Sequence, residues 1–253
     1  MEIKDRYVIF PDLHFPYHDT KAFNCSLKVL EYVNPTGFLL LGDTVEGESV
    51  SHWKWAKKKR PPLEYQLPEI NQEVEEVNKY WDELDEVLDK TQCKKKVFTQ
   101  GNHEVWFDNF VYENPFLSQY KTQNIFKLKE RGYEYHKYGK YIKVGGSKLY
   151  AYHGGHYTGI HHARSHVLNL GCSIVYGHTH DCQRAVVTHI SGAHMAHSLG
   201  CLSKMEKGFL KNRLTNWSHN VAVLDIFNNR NYSLQVLNIQ NGVTSYNGNI
   251  MEG

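Results

Sequence analysis

The sequence contains no apolar run approaching the roughly 20 residues that a membrane-spanning helix needs. Its opening stretch, MEIKDRYVIF, lacks the long apolar segment of a secretory signal. Net charge is slight, +2 with neutral histidines, too little to imply a nucleic-acid partner by charge alone. Cysteines are few and scattered: Cys25, Cys93, Cys172, Cys182 and Cys201 are odd in number and include no CxxC spacing. That set excludes a disulfide framework and fits reduced thiols in a cytoplasmic protein. Internal repeats, low-complexity tracts and clear linkers are absent too, so one domain over residues 1–253 is expected. What is present is an ordinary globular composition, 41% hydrophobic and 22% charged, with one excess. Sixteen histidines raise the expectation of metal chemistry before any motif is read.

The first half alternates strand and helix. RYVIF (6–10), FLLLGD (38–43) and KKKVFTQGN (94–102) read as strands, and unbroken apolar runs suit parallel strands covered on both faces. Phe23, Leu27, Leu30 and Val33 fall at helical spacing over 20–33. Ile70, Val74, Val77, Trp81, Leu84 and Leu88 form one stripe of a long amphipathic helix over 67–90, within an expected helical insertion at about 48–92. In the second half, KYIKVGGSKLYAYHGG predicts a hairpin with Gly145-Gly146 as a two-residue turn. A helix is expected around 160–170, ending at Gly171. SIVYGH, CQRAVVTHI, AHMAHSL, NVAVLDIF and YSLQVLNI predict a second, mostly antiparallel sheet, with a strand-rich part over about 183–245. Two sheets face to face with helices outside is the expected α/β architecture.

Five strands run straight into polar loops that carry metal-competent side chains. These are Asp12 and His14 in PDLH, Asp43 in GD, Asn102, His103 and Glu104 in GNHE, His153 in YHGG, and His178 and His180 in GHTH. Ligands of open α/β sheets bind beyond the carboxyl ends of strands, so these loops should converge. Carboxylate and imidazole donors, with one amide oxygen and no thiolate, suit manganese, iron, zinc or similar ions. One carboxylate can bridge two cations about 3.5–4 Å apart. Gly42, Gly101 and Gly177 beside the ligands permit the tight turns that present them.

In order and in type, these residues resemble the five motifs of the calcineurin-like metallophosphoesterases: D-x-H, GD, GNH[D/E], H and GHxH. The match spans roughly residues 7–185. The resemblance implies a four-layer α/β/β/α sandwich with mixed sheets and a site for two divalent cations. Manganese is the expected ion, with iron, zinc, nickel or cobalt as alternatives. It implies that Asp12, His14 and His180 hold one metal, that Asn102, His153 and His178 hold the other, and that Asp43 bridges them. It further implies a metal-bridging hydroxide as nucleophile, with His103 a non-ligand facing the scissile phosphate. His103 suits a general acid for the leaving oxygen, and Glu104 is placed to orient it.

Departures from the pattern narrow the expectation. Ser/Thr phosphatases and the related phage and diadenosine-tetraphosphate enzymes read GDxHG, GDxVDRG and RGNHE, whereas this chain reads PDLHFP, GDTVEGES and QGNHE. Val45 and the acid Glu46 are kept, but Gly47 and Gln100 stand where two phosphate-clamping arginines would be. Without those forks a monoester dianion loses its usual grip. The order of expectation is therefore phosphodiesterase, then DNA or RNA nuclease of the repair type, then phosphomonoesterase. A non-enzymatic scaffold, as one retromer subunit is, comes last. The expected partner is a phosphodiester, a nucleotide or nucleic acid included, and no membrane.

Lys57, Lys58, Lys59 and Arg60, with Trp53 and Trp55, could overhang the site and meet a nucleic-acid backbone, although a solvated helix end is the plainer reading. His156, His161 and His162 read first as surface or helix-end histidines and second as pocket lining. His18 and Asp19 are balanced between structure and substrate contact. His189, His194, His197 and His219 read as structural, and residues 105–120 as a cap or pocket wall.

Overall fold

Short apolar strands set the frame of the computed structural model, which describes residues 2–56, 58–190, 192–211 and 213–253. The first half comprises β1 (Ile3–Phe10), α1 (Thr20–Val33), β2 (Gly37–Leu40), α2 (His52–Trp55), α3 (Leu63–Asp89), β3 (Lys95–Thr99), α4 (Asn102–Glu113), α5 (Thr122–Ile125) and β4 (Tyr133–His136). Then follow β5 (Ile142–Lys143), β6 (Leu149–Ala151), α6 (His162–Leu170), β7 (Ser173–Tyr176), β8 (Arg184–His189) and β9 (Gly192–Ser198). The chain finishes with β10 (His219–Phe227), β11 (Tyr232–Ile239), β12 (Val243–Tyr246) and β13 (Asn249–Glu252).

A six-stranded sheet runs β11-β10-β1-β2-β3-β4 and a five-stranded one β5-β6-β7-β9-β8, while β12 and β13 pair apart as an antiparallel hairpin. Strands β1 to β4 are parallel, and β10 and β11 join antiparallel. In the second sheet β7 is parallel to both β6 and β9, and only the outer strands β5 and β8 run antiparallel. Both sheets are mixed, as expected. The mostly antiparallel second sheet is corrected: NVAVLDIF and YSLQVLNI are β10 and β11 and extend the first sheet. The reason lies in β10, which pairs along β1 and is apolar on both faces. Val221 and Val223 pack toward the helices, while Ala222, Leu224 and Ile226 pack toward the other sheet.

The hairpin is corrected as well. β5 and β6 pair as expected, Ile142 with Ala151, but residues 144–148 connect them rather than two glycines. Val144 is drawn into the core between the sheets, which a two-residue turn would not allow.

Side-chain alternation assigns the layers. Val8, Phe10, Phe38, Leu40 and Phe98 face the helices, meeting Phe23, Ile70, Val77, Trp81 and Phe107. Ile9, Leu39 and Leu41 face Leu149, Ala151 and Val175 of the second sheet. Tyr152, Ile174 and Tyr176 meet Ala163 and Val167 of α6. The order is α/β/β/α. Within the 48–92 stretch, α3 lays Ile70, Val77, Trp81, Leu84 and Leu88 onto the core as part of the outer helical layer. No helix among the described residues is long and apolar enough to cross a membrane.

Buried histidines give the fold an acid limit. The His166 ring stacks on Tyr176 at 3.8 Å, its Nδ1 donates to the His162 carbonyl, and its Nε2 accepts from the Tyr152 hydroxyl. Burial lowers its pKa to about 4, and burial followed by Arg184 does the same to His197. Both are neutral when folded yet take a proton near pH 6.5 when unfolded, so stability is complete above that pH and falls toward pH 4. At pH 5 each should cost on the order of 1–2 kcal/mol relative to pH 7.5. Urea midpoints at the two pH values measure the loss, and His166→Gln should flatten the slope. Equal midpoints would count against this account.

Candidate metal centre

Strands β1, β2 and β3 of one sheet and β6 and β7 of the other send their following loops to one place. Asp12 and His14 leave β1, Asp43 leaves β2, Asn102 and His103 open α4, His153 follows β6, and His178 and His180 follow β7. Three donor groups form there, each with its ligand atoms within 4.8 Å: Asp12/His14/His180, His14/Asp43/His103 and Asp43/His153/His178. His14 Nε2 is 3.0 Å from His180 Nε2, which is 3.4 Å from Asp12 Oδ1. On the other side, His153 Nε2 lies 3.0 Å from Asn102 Oδ1 and 3.2 Å from His178 Nδ1. Between the two sets, Asp43 Oδ2 stands 3.8 Å from His14 Nε2 and 3.3 Å from His153 Nε2. His178 and His180 part at their turn, one joining each set. The seven side chains form a nitrogen and oxygen donor set that fits two divalent first-row cations.

Neighbouring groups decide which atom of each ligand faces inward. His153 Nδ1 donates to the Leu41 carbonyl at 2.7 Å, which turns Nε2 to the centre. His14 Nδ1 lies 3.0 Å from Glu46 Oε2, and that carboxylate also accepts from Lys207 Nζ at 2.6 Å. His103 Nδ1 donates to the Glu46 carbonyl at 2.5 Å, leaving Nε2 3.9 Å from Asp43 Oδ2. Asp43 Oδ1 accepts from the His103 N–H at 3.0 Å, which reserves Oδ2, and the Asp12 carboxylate accepts from the His178 N–H at 2.9 Å.

These charges are mutually dependent. Burial opposes ionisation of Asp43, yet His153, His103 and His14 hold its carboxyl well below the usual carboxylate range. Burial likewise opposes a charge on His153, but Asp43 outweighs it and lifts the imidazole to about 10. His14 is driven down to about 3 by burial, with Lys207 adding, and His178 to about 4 by burial and then His153.

Glu104 orients the Asp43 loop rather than the His103 ring. Its buried carboxylate accepts from the backbone N–H groups of Asp43 (3.0 Å), Thr44 (2.6 Å) and Gly101 (2.8 Å) and from the Thr44 hydroxyl (2.7 Å). Burial raises its pKa, and Asp43 raises it further. Glu104→Ala would strand those donors, with an expected loss of about 3 kcal/mol or more. Thermal melts and bound-metal analysis read it; an unchanged melt with full metal content would remove the assigned role.

Backbone conformation is unusual at the same residues. Asp12, His14, Asp43, His178 and His180 all have positive φ, at 28°, 53°, 48°, 71° and 62°. Left-handed backbone costs such residues on the order of 1 kcal/mol each and persists only where packing enforces it. Gly177 is part of that enforcement, since a Cβ there would collide with the Asp12 carboxylate.

The cleft above these ligands has a volume of about 990 Å³. At position 47 an added Cβ would press at 3.3 Å on the His103 carbonyl and the Trp106 ring, and the backbone there is left-handed at φ 67°, so a side chain would be strained. Gln100 is buried, donating to Asp108 at 2.7 Å and accepting from the Tyr138 N–H at 3.1 Å. Neither position offers a phosphate clamp. His18 packs among Phe15, Phe23 and Tyr80, Asp19 caps α1 by accepting from the Ala22 N–H, and neither lines the cleft. His156 and His161 are exposed, as expected, but His162 is buried. His162 joins the Tyr176 hydroxyl to Asp181, 2.9 Å away and next to His180 in sequence.

In the basic run, Lys57 lies outside the described residues, Lys58 and Lys59 are exposed, and Arg60 pairs with Glu113 at 3.4 Å. None of these described residues lines the cleft, whereas Trp53 and Lys54 do. His189, His194, His197 and His219 do not line it either. In the 105–120 stretch, Phe107 and Phe110 enter the core and Trp106 supplies cleft wall. The sequence reading missed Glu46 as the partner of His14, although its place three residues after Asp43 was a signal. It also missed Lys204, Lys207 and Trp217, which line the cleft without a recognisable motif.

No family model matches the chain, and no curated protein does. Among solved structures, it is similar to Vps29 from Chaetomium thermophilum at 9% identity and a TM-score of 0.47, covering 100% of this chain and 95% of that one. It is also similar to YfcE, described as a phosphoesterase from E. coli, at 15% identity and a TM-score of 0.39, covering 91% and 98%. TT1561 of Thermus thermophilus aligns at 10% identity and a TM-score of 0.37, covering 94% and 99%. At such values none of the three bears on what this chain does.

Proposed function

We propose that the protein hydrolyses phosphodiester bonds at a centre for two divalent cations. Asp43 carries the proposal, because its Oδ2 stands between the His14 and His153 sets while Oδ1 is tied to the His103 N–H. Asp12, His14 and His180 would hold one cation, and Asn102, His153 and His178 the other, with manganese the expected ion. When bound, such cations lower the pKa of water between them and offset negative charge on phosphoryl oxygens.

The chain's own residues do the remaining work. His103 has Nδ1–H committed to the Glu46 carbonyl, so the proton it transfers is carried on Nε2, the atom directed toward Asp43 and the cleft. From Nε2 it passes to the leaving oxygen as the P–O bond breaks. Trp106, with its ring 4.1 Å from that of His103, covers one face of the imidazole and limits its access to water. Glu46, braced by Lys207, holds the His14 ring, and Leu41 holds that of His153. A diester is favoured over a monoester because positions 47 and 100 supply no bidentate fork for a dianion.

Comparison of bis-p-nitrophenyl phosphate with p-nitrophenyl phosphate, in manganese, tests this. The diester should be turned over with a kcat/KM at least about tenfold higher, a barrier difference of about 1.4 kcal/mol. Turnover of the monoester alone would make the protein a phosphomonoesterase. Inertness toward both esters, with manganese, iron, zinc, nickel and cobalt alike, would leave the scaffold reading.

A further inference from the structure

Phosphate chemistry alone does not account for the walls of the cleft. Trp53 of α2, Trp106 of α4 and Trp217 from the stretch between β9 and β10 all line it. Trp106 and Trp217 lie 4.1 Å and 4.4 Å from the rings of His103 and His180, directly beside the centre. Trp53 keeps 75% of its surface in water. Lys54, Lys204 and Lys207 line the same cleft. Of the acids there, Glu46 is engaged by Lys207 at 2.6 Å and Glu48 by the Tyr17 hydroxyl at 2.7 Å, while Glu206 is exposed.

The stretch that brings Lys204, Lys207 and Trp217 is fixed to the ligand loops. The Leu202 N–H donates to the Asp12 carbonyl, the Lys204 N–H to the Tyr17 carbonyl and the Ser218 N–H to the His180 carbonyl, each at 2.9 Å. Its position follows from β9, which runs parallel to β7 and therefore ends at the same edge of the sheet as the histidine turn.

We propose that the substrate is a nucleotide diester with an unpaired base, the base stacked on the tryptophan wall and a flanking phosphate met by Lys204, since Lys54 pairs with Glu69 at 3.2 Å and Lys207 with Glu46. This rests on the phosphodiesterase reading and names its substrate class. An aliphatic diester would make no use of the indole faces that line the cleft, whereas every base offers a flat face to an indole whatever its identity. Pairing in a duplex would hide that face, so the base is single-stranded or belongs to a small nucleotide. A lone phosphate fills only a small part of a cleft of about 990 Å³.

Isothermal titration calorimetry on the full chain tests the proposal with thymidine monophosphate and with glycerol phosphate, which lacks a base. Thymidine monophosphate should bind about tenfold or more tightly, the expected worth of one stacked base. That advantage should shrink in Trp53→Ala, whose exposed side chain can be removed without disturbing the fold. Equal affinity for the two phosphates overturns the proposal, as does tighter binding of a duplex than of its single strand. Cyclic AMP, a thymidine dinucleotide and oligothymidylate are then compared; tighter binding of any one than of glycerol phosphate supports the proposal and identifies the source of the base. Hydrolysis of bis-p-nitrophenyl phosphate by the same preparation separates the two failures. Turnover without base preference overturns this inference alone, and absence of turnover overturns the reading beneath it.

Discussion

Asp43→Asn should reduce the bound-metal content below two ions per chain and slow diester hydrolysis on the order of 10³-fold or more. The substitution keeps the shape and one oxygen to accept the His103 N–H, but it removes the charge shared by His14 and His153. Without that charge, burial acts unopposed on His153, whose pKa should fall from about 10. The amide nitrogen would also face two imidazoles where an anionic oxygen stood. Elemental analysis of the purified variant reads the first effect and initial rates read the second, with circular dichroism to confirm the fold. A variant that retains two ions and full turnover ends the bimetal proposal.

His103→Asn should behave differently. His103 sits within 3.9 Å of Asp43 Oδ2, but its Nδ1–H is committed to the Glu46 carbonyl and neither proposed ligand set includes it, so metal content should hold. For a diester with an alkyl leaving group, loss of the proton at Nε2 should cost roughly 10²–10⁴-fold in kcat. With p-nitrophenolate, which leaves without a proton, the loss should be far smaller. The leaving-group dependence is the decisive measurement. An equal loss on both substrates would assign His103 to positioning instead of proton transfer.

The convergence of the candidate ligand positions was readable in the sequence because each follows a strand end and is a carboxylate, an amide or an imidazole in a fixed order. Side chains that hold those ligands were less readable. Glu104 lies inside a motif, but its bonds run to a loop about 60 residues away in sequence. His162 is one of several histidines in HGGHYTGIHHARSH, although its spacing with Ala163, His166 and Val167 marks the buried face of α6. The sheet to which β10 belongs could not be read, since a strand apolar on both faces satisfies either sheet. Lys207 and Trp217 were hidden for a related reason: they reach the cleft only because β9 runs parallel to β7, a pairing that leaves no local trace.

The left-handed backbone at five ligand positions also governs what mutation can do here. After glycine, aspartate, asparagine and histidine are the residues that accept such φ values most readily. A valine or isoleucine at position 12, 43 or 178 would be rejected by the main chain before coordination came into question. Drift at these turns is therefore channelled toward asparagine or glycine, which remove a metal-holding group yet keep the loop shape. By that route the sandwich can outlive its chemistry and persist as a bare framework.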